Sequence, residues 1–171
     1  MEELNLQLKA ELSQYDGRSK PFLMAIVNQF ATEPGYLDRL ISLLEQAEHN
    51  LNDAATWLIK HHLENGNNIS ETQIKRLLQQ LEHLTSWSAQ LHLCQSLRHL
   101  PISLAQTESL HQWLTPLLSH KRPFLRTWSL DALCYLAEIN PDLEPQANQA
   151  LAKAIDDPAA SVRARARNLH Q

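Results

Sequence analysis

The chain has 171 residues, enough to bury a sizeable core without disulfides or a structural metal. Its 15 Lys and Arg against 19 Asp and Glu give a net charge of -4, a mild acidity that aids solubility and singles out no partner. Only three glycines occur, Gly17, Gly35 and Gly66, too far apart for a phosphate-cradling loop and too few for a many-turned β protein, whereas 32 leucines favour helix.

Taken in chain order, an apolar helical period recurs between short polar breaks. Leu4, Leu8 and Leu12 predict a helix over 2–15, which Asp16-Gly17 ends. Ser19 caps a second helix with Pro21 in its first turn, running to Ala31 before Glu33-Pro34-Gly35 breaks it. Leu37, Leu40, Ile41 and Leu44 form the stripe of a third, and His49-Asn50 interrupts. Ala54, Ala55, Leu58, Ile59 and Leu63 mark a fourth, stopped by Asn65-Gly66-Asn67-Asn68. Ser70 opens Ser-x-x-Gln, a capping-box pattern ahead of Ile74, Leu77, Leu78 and Leu81. A sixth helix starts near Ser86, holds Ala89, Leu93, Leu97 and Leu100, and ends at Pro101. Helices over 103–118 and 122–138 follow. Pro141 precedes a helix with Leu151 and Ile155, and a last one covers 159–169. The sum is ten helices in five antiparallel pairs within a single domain, 1–171.

The pairs repeat. Arg122-Pro123-Phe124-Leu125-Arg126 aligns with Ala159-Ala160-Ser161-Val162-Arg163 at an offset of 37, which also sets Leu114 on Leu151 and Leu118 on Ile155. Lys20-Pro21-Phe22-Leu23 matches Arg122-Pro123-Phe124-Leu125 at 102, and Thr56-Trp57 matches Thr127-Trp128 at 71. Such a period means helical hairpins that close their cores by stacking. The run Asp156-Asp157-Pro158-x-x-Ser161-Val162-Arg163-x-x-Ala166 resembles the second-helix opening of a HEAT repeat. On these residues the chain resembles the HEAT/armadillo-type family, best over 103–171, less over 19–64 and least over 70–100. The resemblance implies an all-α fold, a right-handed superhelical solenoid of about five HEAT-like hairpins. It also implies that Arg126 and Arg163 tie neighbouring repeats through carboxylates and helix-end carbonyls. Asp156 and Asp157 are expected to cap the last helix.

Chemistry is less legible. Cys94 and Cys134 are isolated in apolar patterns and read as thiols in a reducing compartment. Met1-Glu2-Glu3-Leu4 lacks the basic start of a signal peptide, and no apolar run exceeds six residues where a membrane span needs about 20, so a cytoplasmic protein is expected. Nine histidines raise metal binding, with Glu45/His49 and His61/Glu64 as the options at one-face helical spacing, while His92 and His99 stand about 10 Å apart. No metal and no cofactor is expected. Residues 119–171 carry 7 basic and 6 acidic side chains against 8 and 13 in 1–118, with Arg163, Arg165 and Arg167 clustered beside Lys153, Arg122 and Arg126. A duplex binder uses about 6–10 phosphate contacts, more than one helix supplies.

The expected function is a non-catalytic scaffold that holds a protein or peptide on the concave side, lined by the second helices. Its polar stripe would comprise Lys60, Gln95, Arg98, Arg126, Asp131, Arg163 and Arg167. The alternative is a DNA alkylpurine glycosylase-type enzyme or other nucleic-acid-binding protein. HEAT-like glycosylases use Trp, Asp and Arg on an inner surface, and this chain offers Trp128, Asp131 and Arg126, with Trp57 and Trp113. Trp128 opening with Asp131 onto a basic groove would favour that alternative; burial of Trp128 would count against it.

Overall fold

The computed structural model describes residues 2–46 and 48–170, with side chains from Leu4 onward. Met1 and Gln171, the ends of the expected domain, lie outside the described residues. These residues form ten α-helices and five short 3₁₀ segments, with no β-strand among them. None of the helices is long and apolar enough to cross a membrane. Contacts gather the chain into two compact units, Met1–His99 and Leu100–Gln171.

The first unit holds α1 (Glu2–Leu12), α2 (Lys20–Phe30), α3 (Tyr36–Leu43), α4 (His49–Glu64), α5 (Glu71–Gln79) and α6 (Trp87–Ser96). Its centre is α4, which packs against α1, α2, α3 and α6. Ala54 and Ala55 are fully buried on α4, so neighbouring backbones approach closely, and Leu51, Leu58, Ile59 and Leu63 fill the rest. Local signals set the boundaries. α1 ends at Leu12 and not at residue 15, where the Gln14 and Tyr15 amides turn back to the Glu11 and Leu12 carbonyls at 3.0 and 3.1 Å, and the Asp16 carboxylate then accepts from the amides of Arg18 and Ser19, each at 2.8 Å. Ser19 caps α2 by accepting from the Phe22 amide. His49 and Asn50, expected as a break, are the solvent-facing first residues of α4. At its other end Gly66 sits at φ 74°, and the Gly66 and Asn67 amides donate to the carbonyls of Leu63 and His62. That pairing needs a left-handed residue after the cap, where a Cβ is strained. Ser70 and Gln73 complete the expected capping box at 3.2 and 2.9 Å.

The second unit holds α7 (Thr107–Leu114), α8 (Pro123–Ile139), α9 (Glu144–Ala154) and α10 (Ala160–Leu169). Here α8 touches the other three. Leu130, Leu151, Ala154, Val162 and Ala166 form its core, with Leu118, Cys134 and Ala150 packed around it. The helix expected over 103–118 is divided: 3₁₀ segments at Leu104–Gln106 and Thr115–Ser119 flank α7. Pro116 has no amide hydrogen to continue the α-helical ladder, and the chain tightens there. Ile155, expected on an apolar stripe, is 42% exposed. Pro158 precedes α10 by two residues, and Asp157 accepts from the Ala159 amide at 2.8 Å, outside the helix proper; Asp156 is exposed.

Side-chain links recur over a narrow range of spacings. In the first unit Asp38 accepts from Gln73 and Arg76 at 2.7 and 2.8 Å, Asp53 accepts from Ser86, and Thr56 meets His92 at 3.0 Å. In the second, Arg126 grips Asp157, Thr127 donates to Ser161, Tyr135 donates to the Leu100 carbonyl, and Asn140 donates to Thr107. These links span 31 to 38 residues, bracketing the offset of 37 read from the sequence. Thr56 and Thr127, the matched Thr-Trp positions, both take part.

Candidate functional site

The second unit contains a cleft of about 360 Å³. On α9, Gln146, Gln149, Ala150, Lys153 and Ala154 recur at the spacing of one helix face and form one wall. The opposite wall comes from His111 on α7 and Thr115 and Ser119 beyond it, and Leu118, Leu130, Leu133 and Val162 make the floor. Ala150 and Ala154 are the small residues on the α9 side of the lining. Both also pack into the core, Ala154 as a buried member and Ala150 against it, while Gln146, Gln149 and Lys153 beside them are exposed.

At one end Arg126 binds Asp157 through two hydrogen bonds of 2.8 Å and donates a third, at 2.8 Å, to the His120 carbonyl. Arg163 donates to the carbonyls of Asp157 and Pro158 at 2.6 and 2.9 Å. The Arg126 guanidinium and the Ala159 amide hold the Asp157 carboxyl below its ordinary range, and the same pairing raises Arg126. Asp157 is thus a fixed anion that anchors the chain ahead of α10, not a proton carrier. Once Arg126 and Asp157 cancel, Lys153 leaves the cleft cationic. The side chains of Gln146, Gln149 and Lys153 have no hydrogen-bond or ion-pair partner among the described residues.

Of the seven residues expected on one polar stripe, Arg126 alone lines this cleft. The cleft is lined by the first helices of their pairs, α7 and α9, together with Arg126, Leu130 and Leu133 of α8 and Val162 of α10. Asp131 is 2% exposed and lies 3.6 Å from Arg165, so it is no surface group. It stands five residues from Arg126 on α8, about 140° around the helix, and therefore on another face. Arg165 also covers the half-buried Trp128, 4.3 Å from the ring centroid. The Asp131 carboxylate thus meets a guanidinium and not an open groove. Arg163 is half-buried and held on carbonyls, and Arg167 is exposed.

In the first unit Lys60 pairs with Glu64 at 3.0 Å and lies 5.9 Å from the Trp57 ring, which stacks on His61. Gln95 is half-buried and Arg98 exposed. The histidine spacings weighed for a metal are used otherwise. His49 bonds Thr85 at 3.0 Å, and Glu64 serves Lys60. No group of three or more His, Cys, Asp or Glu among the described residues is placed to hold an ion.

Sequence reasoning missed Gln146, Gln149 and the position of Lys153. The available signal was the polar spacing 146, 149, 153 bordering Ala147, Ala150 and Ala154, which marks a helix edge that small side chains leave unfilled. Neither the protein-family models nor the curated proteins contain a match to this chain.

Proposed function

We propose that the chain is a non-catalytic, cytoplasmic scaffold, a right-handed superhelical solenoid of HEAT-like hairpins that holds a peptide segment of a protein partner. The lateral links at 31 to 38 residues carry this reading, because they join side chains about one repeat apart within each unit. The packing of α4 on α6 and of α8 on α10, second helix against second helix, supports the same repeat. A framework tied this way presents a preformed cleft and spares the ordering cost of binding. Exposed charge pairs add only about 0–1 kcal/mol each, so affinity comes from an apolar anchor on the floor, with the rim charge setting orientation.

The test pairs two measurements on the intact chain. A photo-crosslinker placed at Gln146 is used to capture partners from native cytoplasm, and a labelled DNA duplex is titrated by fluorescence anisotropy at low and moderate salt. The scaffold reading expects a cross-linked protein that Lys153→Glu weakens, and no duplex binding at micromolar protein. Salt-sensitive duplex binding without a cross-linked protein would overturn it in favour of the nucleic-acid alternative. Release of a base from an alkylated duplex would make the chain an enzyme.

A further inference from the structure

We infer that the cleft between α7 and α9 takes a short peptide segment with one aliphatic side chain on the floor and an Asp or Glu, one or two residues along, paired with Lys153. This rests on the scaffold reading and names the partner's chemistry.

Size comes first. A volume of about 360 Å³ lies near the lower end of small-ligand sites, room for one or two side chains and not for a docked helix. The floor of Leu118, Leu130, Leu133 and Val162 selects an aliphatic group for the deep position. The rim supplies the rest. Gln146 and Gln149, one helical turn apart, each offer a donor and an acceptor, the pair of functions a peptide main chain requires. Charge then fixes the flanking residue. Arg126 spends Nε and both terminal nitrogens on Asp157 and the His120 carbonyl, so the available cation on that wall is Lys153, on an exposed turn of α9. One mobile ammonium suits a single carboxylate. It falls far short of the roughly 6–10 phosphate contacts that hold a duplex, which decides between an acidic peptide and a nucleic acid.

The experiment titrates the intact ¹⁵N-labelled chain with a pool of capped hexapeptides in which Leu and Glu are fixed two positions apart. A second pool replaces Glu with Gln, and a third replaces Leu with Ser. The first pool is expected to shift the amides of Gln146, Gln149 and Lys153. The Gln pool should bind about fivefold more weakly, and the Ser pool should lose most of its binding. Lys153→Glu should weaken the first pool about tenfold while Lys153→Arg retains it. Lys153 is exposed, so both variants should keep the parent's spectrum elsewhere. Equal affinity for the Glu and Gln pools overturns the carboxylate. Shifts confined to the surroundings of Lys60 and Gln95 overturn the cleft while leaving a peptide-binding scaffold. No shift up to about 1 mM peptide, the weak end of useful affinity, overturns the inference, and the duplex titration then reports whether the scaffold reading falls with it.

Discussion

His92 offers the sharpest physical test of the first unit. Its Nδ1 lies 3.0 Å from the Thr56 hydroxyl, which itself donates to the Asn52 carbonyl at 2.7 Å, leaving the threonine oxygen to accept from Nδ1–H. Burial lowers the His92 pKa to about 3, and the nearby Lys60 charge pushes the same way. In the unfolded chain the ring titrates at 6.5. Between these values the unfolded state binds the extra proton. The stability His92 permits is therefore complete above 6.5 and is lost as pH falls towards 3. Acidification from about pH 7 to 5 should remove up to about 2 kcal/mol through this one ring. Asp53 opposes it in sign, since burial raises that carboxyl. The comparison is therefore with His92→Gln, which keeps Asp53 and the other eight histidines. Urea unfolding of both proteins at the two pH values, followed by tryptophan fluorescence, gives the double difference. The parent should lose up to about 2 kcal/mol more than the variant, a midpoint difference of order 1 M urea. A double difference near zero, or a folded-state His92 midpoint near 6.5 by NMR, would refute the account.

Further outcomes follow from the second unit and from the caps. Arg126→Met should destabilise the chain by about 1–3 kcal/mol, and Arg126→Lys should restore only part, because an ammonium cannot span both Asp157 oxygens while reaching the His120 carbonyl; chemical denaturation of the two variants decides. The Asp157 contribution should persist down to the ordinary carboxyl value of 3.8 and fall away below it, as expected where pairing lowers the folded pKa. Leu130→Ala, in the α8–α10 core, should cost about 2–5 kcal/mol in a thermal or urea melt. Ser70→Ala should cost about 1 kcal/mol, with faster amide exchange confined to the first turn of α5.

What the sequence made legible, and what it hid, divides along physical lines. Caps are local, so Ser19 and Ser70 could be read directly: each hydroxyl accepts from the amide three residues on. Periodicity located most helices but not the change of helix type at Pro116, where a single missing hydrogen matters more than the leucine spacing. The offset of 37 placed Arg126 and Arg163 in equivalent positions, and both turn to the stretch around Asp157. Asp131 misled because periodicity assigns a residue to a face without saying what lies on that face; Arg165 does, from α10. The cleft stayed hidden for a related reason. Alanine counts as an apolar core residue in any pattern, and only the folded chain reveals that Ala150 and Ala154 also border a cleft.

Those two methyl groups act as a gauge. Ala150 and Ala154 belong at once to the lining of the opening and to the packing around Leu130, Leu151 and Val162. Selectivity and architecture are therefore coupled at these positions. Enlarging the half-buried residue 150 by a methyl at a time would narrow the bore and press on that packing together, so each change of guest size carries a change in stability.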